Sequence, residues 1–174
     1  HHCIQGVATQ HDGRSASLTA PNGIAQQVLL SAALKSADIT PDEIWQFEAH
    51  GTGTALGDPI EIRSLAAAVL LKQRSGVYQS AVGSVKANVG HGETAAGLVG
   101  LLLLAGLASS CRASPNAQLR ILNPHVASGL MGVACALPTS LSACAADGCS
   151  GVSSFGYSGT IAHAVLRCTS VGRE

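Results

Sequence analysis

Charge is scarce in this chain. Only 11% of its 174 residues are Asp, Glu, Lys or Arg, against roughly 25% in ordinary soluble domains. Ten basic residues balance ten acidic ones, giving zero formal net charge with His neutral. No Lys/Arg cluster is present, which argues against a nucleic-acid or anionic-membrane surface. With 47% hydrophobic residues and 20 glycines, too little charge remains to cover a free-standing globule. Much of the surface is therefore expected to lie against other protein, in an oligomer or as a piece of something larger. The length is one domain's worth of chain.

Other absences narrow the class further. The longest apolar run, Ala95 to Ala108, falls short of the about 20 residues a membrane span needs, and it reads as a buried core helix. The opening His1-His2-Cys3 has no initiator Met and no basic-then-apolar leader, so the start reads as internal or as a tag remnant. The six cysteines (Cys3, Cys111, Cys135, Cys144, Cys149, Cys168) form no C-x-x-C pair and no zinc-like spacing with His. They read as free thiols of a reducing compartment, cytoplasmic or organellar, and not as a disulfide scaffold. No internal repeat is present.

What the chain does have is an alternation of strand and helix. Ile4 to Thr9 reads as a strand, followed by a polar turn from Gln10 to Ser15. Pro21-Asn22-Gly23 leads a helix to about Ala37, with Ile24, Val28, Leu29, Ala32 and Ala33 on its apolar face. Thr40-Pro41-Asp42-Glu43 has the form of a capping box on a single turn. Ile44 to Ala49 is strand-like and delivers His50. Asp58, Pro59 and Glu61 mark a helix start at N-cap, N1 and N3, and that helix runs to about Lys72. Ala81 to Val85 reads as a buried strand, with a loop and then a helix from about Glu93. The pattern predicts a mainly parallel sheet with helices on both faces. Farther on, short strands are expected at Gln118 to Leu122 and Val133 to Leu137, and Ser140 to Ser150 reads as a surface loop. Gly151 to Phe155 and Ile161 to Arg167 read as adjacent strands joined by a turn at Gly156-Tyr157-Ser158-Gly159.

Two histidines occupy equivalent places. His50 and His91 each follow a strand, each next to glycine, with Lys86 close to the second. In open α/β sheets the carboxyl ends of strands are where ligands bind. Two neutral imidazoles there can donate N–H bonds to a carbonyl oxygen that gains negative charge in a transition state. The positive end of a helix starting near Glu93 favours a neutral His91. Lys86 either holds a carboxylate or tunes the histidines, or it forms a salt bridge to Glu93 or Glu61. The Gly156 to Gly159 turn either presents backbone N–H groups to a ligand or is an ordinary hairpin turn. Thr52 and Thr54 either bind a polar substrate arm or satisfy their own loop.

Three long motifs in fixed order carry a family resemblance. They are His50-Gly51-Thr52-Gly53-Thr54 with Gly57-Asp58-Pro59-Ile60-Glu61; Gly83-Ser84-Val85-Lys86 with Asn88-Val89-Gly90-His91; and Gly151-Val152-Ser153-Ser154-Phe155-Gly156 with Ser158-Gly159-Thr160. With Asp12-Gly13-Arg14 and Leu18-Thr19-Ala20-Pro21-Asn22-Gly23, they resemble the β-ketoacyl synthase (ketosynthase) domain of modular type I polyketide synthases, over nearly the whole chain.

The resemblance implies the carboxyl-terminal half of a thiolase-like fold, layered αβαβα, with a mixed sheet flanked by helices. The amino-terminal half, with its nucleophilic cysteine, is expected to be absent. Cys144, in Ser142-Ala143-Cys144-Ala145, is rejected as that nucleophile. The implied reaction is decarboxylative Claisen condensation of an acyl thioester with a malonyl unit on an acyl carrier protein. In it His50 and His91 bond the malonyl thioester carbonyl and Lys86 supports them. Thr52, Thr54, Phe155 and Gly156 line the phosphopantetheine and substrate entry, and the backbone N–H of Tyr157 shares the oxyanion hole. No metal and no directly bound cofactor is implied, because phosphopantetheine arrives on the carrier protein. The expected partners are that carrier, the missing half and a second copy in a homodimer. The alternatives are a fatty-acid-type ketosynthase and a non-catalytic ketosynthase-like protein serving as dimer partner. One departure is Ile161, where the family has Asn.

Overall fold

A computed structural model describes residues 2–13, 20–74, 79–108, 110–144 and 148–168. Arg14, Leu18 and Thr19 of the motifs, and the far end of the polar turn at Ser15, lie outside these residues. In chain order the elements are β1 (His2–His11), α1 (Gly23–Ser36), β2 (Ile44–Glu48), α2 (Gly57–Ala68), β3 (Ser80–Gly83), α3 (Lys86–Val89) and α4 (Ala96–Ala108). They continue with β4 (Arg112–Ala113), α5 (Pro124–Gly129), β5 (Cys135–Ala136), β6 (Ser142–Ala143), β7 (Gly148–Phe155) and β8 (Thr160–Cys168).

Six strands form one mixed sheet in the order β1-β8-β7-β2-β3-β5. The four from β7 to β5 run parallel, as the alternation of strand and helix requires, while β8 pairs antiparallel with both β7 and β1. One face is covered by α1 and α2, whose Leu30, Leu34, Ile62 and Leu65 join Phe47, Val82 and Val165 in the main core. Over the other face lies α4, where Leu104 packs with Val152 and Leu166.

Local signals explain most element boundaries. Asn22 caps α1, its side chain accepting from the N–H groups of Ile24 and Ala25. The Thr40 to Glu43 capping box forms as expected. Asp12 and Asn22 bring the outlying motifs together: both Asp12 carboxylate oxygens accept the Asn22 N–H, at 3.2 and 3.1 Å.

Several expectations fail, each for a packing reason. On α1 the buried stripe is Gln26, Leu29, Leu30, Ala33 and Leu34, while Ile24 and Val28 face outward, because the helix docks on β1 and α2 together. Helix α2 starts at Gly57, before Asp58, and its last turn gives way to a 3-10 turn at Leu70–Lys72. Strand β3 stops at Gly83, and Val85 opens the helical turn α3. Gln118 to Leu122 forms no strand. The Ser140 to Ser150 loop is also corrected. Ser142–Ala143 pairs antiparallel with Arg112–Ala113, and Gly148 to Ser150 open the central strand β7, while 145–147 fall outside the described residues.

Helix α4 is not buried all round. Ala96, Gly100 and Leu104, four residues apart, face the sheet, and a Cβ on Gly100 would lie 2.9 Å from Cγ of Glu48. Leu98 and Leu102 on the outer side are 58% and 62% exposed. Among the described residues no helix is long and apolar enough to cross a membrane.

Candidate active site

The carboxyl ends of β2, β3 and β7 meet at one sheet edge, since Glu48 is in register with both Gly83 and Val152. His50 leaves β2, the Lys86 to His91 segment leaves β3, and Phe155 ends β7. Adjacent parallel strands thus bring together residues over a hundred positions apart in the chain.

The two imidazoles stand edge to face, with ring centroids 5.8 Å apart and planes at 86°. The backbone N–H of Phe155 donates to Nδ1 of His50 at 3.3 Å, and that of Glu93 donates to Nδ1 of His91 at 3.2 Å. Each Nδ1 is therefore an acceptor, and the tautomer these bonds select carries its proton on Nε2. Both rings thus offer an Nε2–H. Burial, followed by the charges of Lys86 and His91, lowers His50 from 6.5 to about 4 and keeps it neutral. The ring of Phe155 lies 5.3 Å from that of His50.

The His50 loop is held from behind. Glu61 accepts the N–H of His50 at 2.7 Å and that of Gly51 at 2.9 Å. Asp58 accepts the N–H of Gly53 at 3.1 Å. The acidic residues expected to cap α2 instead clamp the loop before it. Gly51 has φ of +42°, and a Cβ there would lie 2.7 Å from Cβ of Ser84, so the two loops approach only because this residue is glycine.

Lys86 is half-buried at the start of α3, and among the described residues it makes no ion pair within 4.0 Å. Of the alternatives for this residue, a salt bridge to Glu93 or Glu61 is not formed within that distance. Burial lowers its ammonium below the usual value, while the carboxylates of Glu48 and Glu61 pull it back up. Glu48 is buried and accepts the N–H of Val85 at 2.7 Å. Burial raises both Glu48 and Glu61 from 4.5 to about 7. Lys86 is thus the cation facing two buried carboxyls.

Asn116, which the sequence did not single out, splints this turn. Its Oδ1 accepts the N–H of Ser84 at 3.1 Å, and its Nδ2 donates to the carbonyls of Val82 and Pro138, each at 3.2 Å. Asn88 donates to Ser114 Oγ at 3.2 Å and accepts the N–H of Ala117 at 3.0 Å.

The remaining candidates fall around this centre. The hydroxyl of Thr54 accepts the N–H of Gly57 at 3.1 Å, and Thr52 lies half-buried in the same loop. Tyr157 projects from the β7–β8 turn, 86% exposed, and among the described residues its N–H has no partner. The turn is closed by Gly156 N–H to the Thr160 carbonyl at 2.7 Å and Gly159 N–H to the Gly156 carbonyl at 3.0 Å. Ile161, the departure from the family pattern, is buried and in register with Phe155, and backbone bonds close the turn. Cys144 follows the two-stranded ribbon, outside the six-stranded sheet, and burial pushes its thiol up to about 12. Among the described residues no group of three His, Cys, Asp or Glu side chains is placed to hold a metal ion.

Residues 1–116 match the family model described as "Beta-ketoacyl synthase, C-terminal domain". The chain belongs to the β-ketoacyl synthase family. It is 42% identical over 166 residues to a phenolphthiocerol/phthiocerol polyketide synthase of Mycobacterium tuberculosis (strain CDC 1551 / Oshkosh), covering 94% of this chain and 9% of that protein. Among solved structures, the β-ketoacyl synthase chain superposes on an oxazolomycin ketosynthase domain of Streptomyces albus JA3453 with a TM-score of 0.88 and 32% identity. That likeness covers 98% of this chain and 30% of the ketosynthase. The ketosynthase from module 6 of the bacillaene synthase of Bacillus subtilis 168 gives a TM-score of 0.84 at 32% identity, over 94% of this chain and 30% of that one. The fold is thus that of ketosynthases, thiolase-like, and the chain spans about a third of the length of the solved domains it matches.

Proposed function

We propose that this β-ketoacyl synthase chain is the carboxyl-terminal half of a polyketide ketosynthase and supplies the His50/His91/Lys86 side of a decarboxylative Claisen site. The observation that carries the reading is the pair of imidazoles whose Nδ1 atoms both accept backbone N–H groups, leaving two Nε2–H donors at one sheet edge.

In this reading a malonyl thioester on an acyl carrier protein places its thioester oxygen between those donors. The bond to the carboxylate breaks, carbon dioxide leaves, and the electron pair becomes an enolate whose oxyanion the two N–H groups stabilise. The enolate carbon then attacks an acyl thioester on a cysteine contributed by the amino-terminal half, and the thiolate departs. Burial keeps His50 uncharged, so it donates without surrendering a proton to solvent. Lys86 supplies positive charge near the departing carboxylate, while Glu48 and Glu61 fix the backbone behind it. The Tyr157 N–H serves the oxyanion of the acyl transfer, and Thr52, Thr54, Phe155 and Gly156 line the entry for the phosphopantetheine arm. The domain acts as a homodimer. Polyketide chemistry is preferred to fatty-acid chemistry because the similar proteins named above are polyketide synthases.

The test is labelled-malonyl incorporation by the parent synthase carrying Lys86→Met. Acyl loading of the cysteine should persist while elongation falls roughly tenfold or more. Unchanged elongation overturns the role given to Lys86.

A further inference from the structure

Away from the sheet edge, the chain doubles back in a small two-stranded ribbon. Arg112 pairs with Ala143 and Ala113 with Ser142, antiparallel. Just beyond the last paired residues, the N–H of Cys144 donates to the Cys111 carbonyl at 2.9 Å. A backbone N–H···O bond of that length holds the two Cα atoms within about 7 Å of each other, whatever the local φ. A disulfide requires roughly 4.4–6.8 Å between Cα atoms. Both cysteines are free thiols of intermediate exposure.

From this close backbone approach we infer that Cys111 and Cys144 form a redox-closable dithiol, oxidised to a disulfide across the ribbon's end by small-molecule disulfides. The thiols also interact electrostatically: the neighbouring Cys111 adds to burial in pushing Cys144 up to about 12. Burial disfavours the thiolate at Cys144, and the thiolate is the attacking form, so Cys144 serves as the resolving thiol. The Cys111 thiolate attacks one sulfur of the oxidant, whose S–S bond breaks and whose first thiolate leaves and takes up a proton. Cys144 then gives up its proton, attacks the Cys111 sulfur of the mixed disulfide and expels the second thiol. Two protein thiols are oxidised, and one small disulfide is reduced to two thiols.

The closed pair would cinch the segment from Cys111 to Cys144, which contributes Ser114, Asn116 and Ala117 to the brace on the Ser84 to Asn88 turn. The disulfide would tie the splint of Lys86 covalently without touching any group proposed for the chemistry. Cys111 has φ of +51°, one of three non-glycine positive values among the described residues, so the ribbon leaves regular β geometry at this pair.

The experiment treats the full-length parent synthase with oxidised glutathione at about pH 8, where more thiolate is present. Free thiols are then alkylated, the protein is digested with trypsin, and disulfide-linked peptides are mapped by mass spectrometry. The expected product links the peptide Ala87–Arg112 to Ile121–Arg167 through Cys144, and not through Cys135 or Cys149. Dithiothreitol should reverse it, and in Cys111→Ser the Cys144 thiol should remain open to alkylation. A wild-type protein in which Cys111 carries only glutathione while Cys144 is alkylated overturns the inference. So does a link from Cys111 to any other cysteine.

Discussion

The carboxylate of Glu61, on helix α2, accepts the backbone N–H groups of both His50 and Gly51, at 2.7 and 2.9 Å. A residue eleven positions downstream thereby sets where the first imidazole stands. Glu61→Ala leaves two loop N–H groups without an acceptor, at a cost of about 2–5 kcal/mol of stability. In the parent synthase it should lower kcat with little change in KM. Glu61→Gln, which retains one acceptor oxygen, should recover part of the loss. Equal activity of Glu61→Ala and wild type would show that the loop is fixed by other means.

The ionisable groups behind the site give a pH signature. Glu48 is held protonated to about 7 in the fold, against 4.5 for a free carboxyl. Between those values the folded state binds more protons than the unfolded chain, so this group's contribution to stability falls as pH rises. His50 and His163 act oppositely: each is lowered from 6.5 to about 4, chiefly by burial, and each contributes stability that is complete above 6.5 and lost as pH falls toward 4. Glu48→Gln removes the first effect alone. Its melting temperature relative to wild type should therefore improve from about pH 5 to about pH 8, by the equivalent of about 1–3 kcal/mol. Parallel melting curves across that range would refute the assignment.

Asn116 makes three hydrogen bonds that tie Ser84, Val82 and Pro138 together beneath the Lys86 turn. Asn116→Ala should destabilise the domain by about 1–3 kcal/mol, because the Ser84 N–H and the Val82 carbonyl lose a partner. Denaturant unfolding of the ketosynthase domain measures this, and a loss below about 0.5 kcal/mol would be too small for a splint of three hydrogen bonds.

Much of the site is legible in the sequence, and what is not has physical causes. A strand followed by a His next to Gly places His50 and His91 at one sheet edge without knowledge of the register. The Asn22 cap and the Thr40 box act locally and can be read directly. The side-chain targets of Asp58 and Glu61 cannot, because an acidic first turn looks the same whether it caps its own helix or clamps the preceding loop. Asn116 is invisible because its partners, Val82 and Ser84, are over thirty positions away. The apolar face of α1 departs from its periodicity because Gln26, not Ile24, turns toward the core, and its burial follows from docking against α2 as well as the sheet.

The apolar outer side of α4 bears on the half-domain reading. Leu98 and Leu102 project from the helix on the side away from the sheet. If the amino-terminal half covers them, Leu98→Asp in the full domain places an unpaired carboxylate in that contact and should prevent soluble assembly or cost about 3 kcal/mol or more. Leu102→Ala should cost about 2–5 kcal/mol as a cavity. If both variants unfold like wild type, that side of α4 faces solvent.

The central claim is that His50 and His91 together stabilise the enolate. The most direct measurement is a single-turnover elongation assay on the parent synthase, with its cysteine preloaded with acyl chain and a labelled malonyl carrier supplied. His50→Ala and His91→Ala should each load acyl chain normally and lose about 100-fold or more in carbon dioxide release and product formation, the scale for removing one donor to a developing oxyanion. Wild-type rates of product formation in both variants would contradict the account.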